Sequence, residues 1–86
     1  MTNLEILNAG GDTCGIDNRG IQNLNLRKLY AGNNSKITNV SHMTRLEVLD
    51  AIWDCGIDDN GIANCLNLKK LNSYENPKIT KKISNS

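Results

Sequence analysis

Leucine pairs with the spacing L-x-x-L recur along the chain at nearly constant intervals. The pairs begin at Leu4, Leu26, Leu46 and Leu68. Their spacings are 22, 20 and 22 residues, and self-similarity at a short period indicates an architecture in which each repeat packs on its neighbours. The sequence therefore predicts one domain over residues 1–86. Its four repeats are 4–25, 26–45, 46–67 and 68–86.

Within a repeat, apolar and polar residues alternate directly after the leucine pair. This period of two predicts a short strand that directs Leu49 and Ala51 inward and Asp50 and Ile52 outward. The same pattern in the other repeats predicts four such strands.

The segments between the strands follow two patterns. Residues 17–21 and 58–62 combine Asp and Asn with a glycine and an isoleucine, which favours a turn that caps a single helical turn. Residues 37–46 instead carry an apolar side chain at every third position, which favours a short 3₁₀-like segment.

A polar residue recurs three positions after the small inward residue that follows each strand. These polar residues are Asp12, Asn34, Asp54 and Asn76. The arrangement L-x-x-L-x-A-x-x-N/D, followed by Ile, resembles the leucine-rich-repeat family across essentially the whole chain. The resemblance implies an α/β solenoid of about four coils, with a short parallel sheet on the concave face and turns or 3₁₀ segments on the convex face. The alternation of C-G-I-D-x-x-G-I with N-x-K-I-T also resembles tandem repeats encoded by large DNA viruses of amoebae, which implies a viral protein.

In such a repeat, the polar residue turns inward at the end of the strand. An asparagine there can donate to a neighbouring carbonyl and accept from a backbone N–H, which joins adjacent coils into a ladder. We expect this role for Asn34 and Asn76. Asp12 and Asp54 are assigned to the same ladder, although an ionised carboxylate only accepts hydrogen bonds, so part of the bonding must be supplied differently.

Composition and charge narrow the class of partner and the location. Ten basic and nine acidic residues leave a net charge of +1, which provides no field for nucleic acid or anionic lipid. The sequence contains no signal-peptide core and no apolar stretch that could span a bilayer, so we expect an intracellular protein, in the cytoplasm, including that of a host cell. The three cysteines form no C-x-x-C pair, which favours buried thiols over disulfides or a zinc site.

Two clusters could carry chemistry, and neither has the required spacing. The acids before Gly61 lack the alternate spacing and the final Glu of a calcium loop, so turn and capping roles are favoured for Asp54, Asp58 and Asp59. His42 lies in a polar stretch, away from the inward positions predicted for the cysteines, which argues against Cys–His catalysis. The sequence predicts no catalytic residue, metal site or cofactor, and hence a protein that is not an enzyme.

The outward strand positions and their neighbours carry the one Trp and both Tyr of the chain, residue types enriched at binding hot spots. The predicted partner-binding residues are Tyr30, Asp50, Ile52, Trp53, Asn72 and Tyr74. The alternative is that Ile52 and Trp53 fold over a neighbouring coil and shield its edge.

Two functions follow from these observations. The favoured one is an interaction module that binds an unknown protein through its exposed sheet. The alternative is a structural, self-assembling piece or a fragment of a longer repeat array. The apolar N-terminal coil also predicts a homodimer through that coil.

Overall fold

The computed structural model describes residues 4–80, so the predicted domain 1–86 and its last repeat, 68–86, extend outside the described residues. Within them, four strands of three residues each account for the extended structure. They are β1 (Ile6–Asn8), β2 (Lys28–Tyr30), β3 (Val48–Asp50) and β4 (Lys70–Asn72). One α-helical turn, α1 (Asn18–Ile21), follows β1, and a 3₁₀ helix, η1 (Asn60–Ile62), follows β3.

The four strands form one parallel sheet in chain order, β1-β2-β3-β4. The second leucine of each pair takes the middle position of its strand, so Leu7, Leu29, Leu49 and Leu71 share one register row. Hydrogen bonds continue past the strand ends, since the Ala9 N–H donates to the Tyr30 carbonyl at 2.7 Å. The predicted short parallel sheet is confirmed, and each repeat is bonded to the next.

The apolar positions of the repeats form one hydrophobic cluster. Its largest fully buried apolar side chains are Ile21, Leu26, Leu29, Ile37, Val40, Met43, Leu46, Leu49, Ile57 and Ile62. Packing is tightest in the two middle repeats: Leu29 and Leu49 are buried, whereas Leu7 and Leu71 are only partly buried. The first and last described repeats therefore leave part of their apolar surface uncovered.

The segment after β1 contains the helical turn that the sequence predicts. Asp17 caps α1, because its carboxylate accepts hydrogen bonds from the Arg19 and Gly20 N–H groups at 3.1 and 3.2 Å. In the third repeat the Asp58 carboxylate accepts from the Gly61 N–H at 2.8 Å, and the turn is a 3₁₀ helix. No helix in residues 4–80 has the length and apolar character needed to cross a membrane.

The prediction of a 3₁₀-like segment at residues 37–46 is wrong, because these residues form separate turns. The Met43 N–H bonds to the Val40 carbonyl at 2.9 Å, but the Val40 N–H bonds to Gly61 of the next repeat at 2.8 Å. This bond between repeats interrupts the i→i+3 series that a 3₁₀ helix requires. The three-residue spacing of apolar side chains reflects their burial and not a helix.

Candidate interaction surface

The sheet face that points away from the core carries two rows of side chains. The first row contains Ile6, Lys28, Val48 and Lys70, and the second contains Asn8, Tyr30, Asp50 and Asn72. Three of the predicted partner-binding residues, Tyr30, Asp50 and Asn72, thus occupy consecutive positions of one row. They are partly buried or exposed. We call this surface the sheet face.

A shallow cleft of about 370 Å³ lies on the sheet face over β2, β3 and β4. Tyr30, Val48, Asp50, Lys70 and Asn72 line it. The cleft offers an apolar floor at Val48 with a phenol, a carboxylate, an ammonium and an amide around it. Such a mixture suits an extended peptide, whose apolar side chains fill the floor while its polar groups find hydrogen-bond partners.

Asp50 and Asn72 have a second role that the sequence reasoning missed. The Asp50 Oδ1 accepts a hydrogen bond from the Ile52 N–H at 3.3 Å, and the Asn72 Oδ1 accepts from the Tyr74 N–H at 3.2 Å. Asn8 accepts from Gly10 in the same way. The recurrence of Asp or Asn at the last position of β1, β3 and β4 is the signal for these turns, which hold the chain directly after those three strands.

Trp53 and Tyr74 lie just beyond the sheet face, and both aromatic side chains are well exposed. Trp53 is 48% exposed and Tyr74 is 63% exposed. The Trp53 N–H donates to the Tyr74 carbonyl at 2.8 Å, which joins the two backbones. The segments that follow β3 and β4 therefore each carry one exposed aromatic side chain, on two adjacent repeats.

Ile52 fits the shielding alternative better than the binding one. A Cβ atom added to Gly32 would lie only 2.7 Å from the Ile52 Cγ1, so the Ile52 side chain covers the backbone of the neighbouring repeat. Glycine at position 32 leaves the space that this contact requires. Among the predicted partner-binding residues, Ile52 thus packs on its own chain, whereas Trp53 and Tyr74 are exposed.

A left-handed backbone conformation recurs three residues after the end of each strand. It is found at Gly11 (φ 109°), Asn33 (φ 63°), Trp53 (φ 60°) and Glu75 (φ 56°). For an L-residue this conformation costs about 1–2 kcal/mol, and only glycine, asparagine and aspartate adopt it routinely. A bulky aromatic residue in this conformation is exceptional, and such strain clusters at functional sites.

The inward ladder is formed by the two asparagines. The Asn34 amide donates to the Ala9 carbonyl at 2.8 Å and to the Ile16 carbonyl at 3.0 Å, both in the preceding repeat. Asn76 donates in the same way to Ala51 and Ile57. Both asparagine side chains are buried.

The ladder role assigned to Asp12 and Asp54 requires correction, since both residues are exposed. A carboxylate cannot donate to the carbonyls that the asparagines reach, and its burial as an ion would be unfavourable. In the third repeat the buried position goes instead to Cys55, one residue later. The first repeat has Cys14 at the corresponding place, partly buried against the core.

A row of charges borders the sheet face where the chain enters each strand, and the sequence reasoning did not find it. Its members are Glu5, Arg27, Glu47 and Lys69. The Arg27 guanidinium lies 3.2 Å from the Glu5 carboxylate and 3.6 Å from that of Glu47, and the hydrogen bond to Glu5 contributes most to raising the pKa of Arg27. The signal is a charge of alternating sign directly after the first leucine of each pair. We call it the charge row.

Of the acidic residues considered for calcium, Asp58 has the predicted capping role, whereas the Asp59 side chain does not cap the 3₁₀ helix and bonds to the fourth repeat. The Asp58 carboxylate holds the 3₁₀ helix, and the Asp59 carboxylate accepts hydrogen bonds from the Thr80 N–H and hydroxyl at 2.9 and 2.6 Å. The His42 Nε2 lies 2.9 Å from the Ile21 carbonyl oxygen. The part of the chain that the structure describes contains no group of three His, Cys, Asp or Glu side chains that could hold a metal ion.

The comparisons with known proteins leave the family open. No family model, curated protein or solved structure matches the chain. The resemblance to leucine-rich repeats and to viral tandem repeats therefore remains an expectation from the sequence motifs.

All three cysteines are free thiols, and their exposure predicts different reactivity. Burial raises the pKa of the Cys55 thiol, so the folded state favours its neutral form. Alkylation of the native protein at about pH 8 should therefore modify the partly buried Cys14 well before Cys55, as peptide mapping by mass spectrometry would show. Equal rates at the two cysteines would contradict the packing described here.

The raised pKa of Cys55 also predicts a pH dependence of stability. Its contribution is fully present below the pKa of the unfolded thiol, about 8.5, and is lost as the pH rises above that value. The difference in unfolding free energy between the wild type and Cys55→Ala should shrink between about pH 7 and about pH 10. A difference that grows over this range would contradict the sign.

Proposed function

We propose that the chain is a non-enzymatic, leucine-rich-repeat solenoid that binds another protein through its sheet face. The observation that carries this proposal is the exposure of Trp53 and Tyr74 on adjacent repeats, beside the cleft that Tyr30 lines. Aromatic side chains that are exposed to water in the free protein can bury that surface against a partner. Such side chains dominate hot spots. An intracellular, cytoplasmic site of action and a viral origin belong to the same proposal.

The order of the strands supports the solenoid. Each strand pairs in parallel with the next strand of the chain, and their first residues recur at the interval of the sequence repeat. A chain that returns to the neighbouring position after each repeat builds an extended, regular surface, which repeat proteins commonly use for recognition.

The proposed partner is a polypeptide that lies across the repeats. Tyr30, Asp50 and Asn72 would orient it through polar contacts, while Trp53 and Tyr74 would contribute apolar area. One oxygen of Asp50 already holds the Ile52 N–H, so its rigid placement lowers the entropy lost on binding.

Trp53→Asn separates binding from stability. Asparagine occupies the equivalent left-handed position at Asn33, so relief of strain offsets the loss of the half-exposed indole. We expect the free energy of unfolding, measured by urea denaturation, to change by less than about 1 kcal/mol. A loss of more than about 3 kcal/mol would show that Trp53 is a core residue and not a binding residue.

The test of the function is selection of ligands from a displayed library of random peptides, followed by titration against variants. We expect peptides selected on the wild type to bind Trp53→Asn and Tyr74→Ala at least about tenfold more weakly. Leu66→Ala is the matched control, because Leu66 is 83% exposed and lies outside the sheet face.

The control also defines the outcome that would contradict the proposal. If the selected peptides lose affinity for Leu66→Ala and bind Trp53→Asn and Tyr74→Ala as they bind the wild type, the binding surface lies elsewhere. Circular dichroism melting of each variant separates loss of binding from loss of folding.

A further inference from the structure

Two glycines of the first repeat lie in open surroundings, although their equivalents in the third repeat are tightly enclosed. A Cβ atom on Gly56 would lie 2.6 Å from the Ser35 carbonyl oxygen, and one on Gly61 would overlap the Thr38 carbonyl oxygen. Glycine is required there because the backbone of the second repeat passes directly over the third.

In the first repeat, nothing in the described structure requires glycine at these positions. Apart from its own chain neighbours, no described residue has an atom within 4 Å of a Cβ on Gly15, and the nearest atom outside the α1 backbone to a Cβ on Gly20 is Ile16 Cγ2 at 3.6 Å. Neither glycine has a left-handed backbone. The first repeat therefore has a surface shaped to receive a repeat of the second type, with the motif N-x-K-I-T.

The fourth repeat is of that type, and it ends the described sheet at the opposite edge. The described residues pair no strand with the outer edge of β1 or of β4. Leu4, in the first repeat, is 45% exposed, whereas the equivalent Leu26 and Leu46 are fully buried. Within residues 4–80, both edges thus present partly uncovered apolar surface, since Leu7 and Leu71 are only partly buried, and backbone groups that a further parallel strand can engage.

The charge row has opposite signs at its two ends. Glu5 begins it at the β1 edge, and Lys69 ends it at the β4 edge, 4.0 Å from Glu47. A repeat added beyond β4 would continue the alternation if it carried an acid, and one added before β1 would continue it if it carried a base. In a second copy of this chain, Glu5 would supply that acid and Lys69 would supply that base.

We propose that the chain associates head to tail with a second copy of itself, β4 of one copy pairing in parallel with β1 of the next. The new junction would repeat the β2–β3 junction, with Lys70 opposite Ile6 and with Lys69 paired to Glu5. The Ile6 N–H would donate to the Lys69 carbonyl, as the Val48 N–H donates to Arg27 at 3.1 Å. The sheet face stays exposed, so this proposal does not depend on the partner-binding function.

Head-to-tail contacts use two different surfaces and leave a free edge at each end. Oligomers should therefore grow beyond the dimer as concentration rises. The two-fold homodimer through the N-terminal repeat that the sequence predicts would stop at two copies and would not use the fourth repeat.

Charge reversal tests this geometry by sedimentation velocity over a series of concentrations. Glu5→Lys alone would place two ammonium groups together at the junction, and Lys69→Glu alone would place two carboxylates together, so each variant should associate more weakly than the wild type. In an equimolar mixture of the two variants, a junction between one copy of each variant pairs an ammonium group with a carboxylate. We expect the mixture to recover association.

Gly20→Ala provides a second test that leaves the single chain intact. The added methyl has room within the described chain and suits a helical position, but at the new junction it would meet the Thr80 carbonyl of the second copy. We expect an unchanged or higher melting temperature and association weakened about tenfold or more.

Three results would overturn the proposal. They are a wild type that stays monomeric at high micromolar concentration while folded, a dimer that Lys69→Glu does not affect, and a mixture of the charge variants that fails to associate. Circular dichroism of every sample shows that the compared chains are folded.

Discussion

Replacing Asn34 with alanine should lower the free energy of unfolding by about 3 kcal/mol. The Asn34 side chain makes three hydrogen bonds: its amide donates to Ala9 and Ile16, and its oxygen accepts from the Lys36 N–H at 3.0 Å. Alanine leaves these groups of the first two repeats without a partner in a buried setting. Because small domains are stable by only about 5–15 kcal/mol, urea denaturation should detect the loss readily.

Two matched variants distinguish the loss of the ladder hydrogen bonds from a general effect of replacing an asparagine. Asn64→Ala, at an exposed turn, should change stability by less than about 0.5 kcal/mol. Asn34→Asp keeps the size of the side chain but removes its donors, so it should cost at least as much as Asn34→Ala. Equal stabilities for Asn34→Ala and Asn64→Ala would refute the assignment of Asn34 to the ladder.

Gly61→Ala should destabilise the fold by about 3 kcal/mol or more, because the added methyl would overlap the Thr38 carbonyl oxygen. Relief requires the second and third repeats to separate. That movement would weaken the hydrogen bond from the Val40 N–H to the Gly61 carbonyl. Thermal and urea unfolding should both report the loss.

The control is the same substitution at the equivalent position of the first repeat. Gly20→Ala meets only ordinary contacts and lies in α1, so at low protein concentration it should raise stability by about 0.5–1 kcal/mol. Similar losses from the two substitutions would mean that the glycines serve helix geometry alone. The packing of one repeat over the next would then not explain Gly61.

The sequence predicted the sheet well because leucine spacing and side-chain alternation both report burial. The L-x-x-L pairs place Leu29 and Leu49 in the core and in one register row, as observed. The capped helical turn at residues 17–21 was also predictable, since an aspartate before a short helix has a specific hydrogen-bonding role.

Features that depend on contacts between repeats could not be obtained from one repeat's pattern. The spacing at residues 37–46 indicates burial, but the bond from Val40 to Gly61 decides the backbone there. Equivalence of position suggested Asp12 and Asp54 for the ladder, whereas hydrogen-bond chemistry excludes them. The left-handed backbone at Trp53 likewise has no signal in the residue type, and the Trp53 N–H bonds to the Tyr74 carbonyl of the next repeat.

The sequence could predict which residues lie on the candidate surface, but it could not predict what each of their side chains contacts. Outward alternation identified Tyr30, Asp50 and Asn72 correctly as one row, but the sequence could not show that Ile52 packs over Gly32. Likewise, the charge row could be identified only once the register between the strands was known, because the register places its charges of alternating sign side by side.

The most direct measurement of the central claim is a map of backbone amide chemical shifts in the ¹⁵N-labelled chain, recorded with and without a selected peptide. We expect the shifts to change most on the sheet face and directly beyond it, around Tyr30, at residues 50–53 and at residues 72–74. Changes centred on the turn at residues 63–67, with the sheet face unaffected, would contradict it.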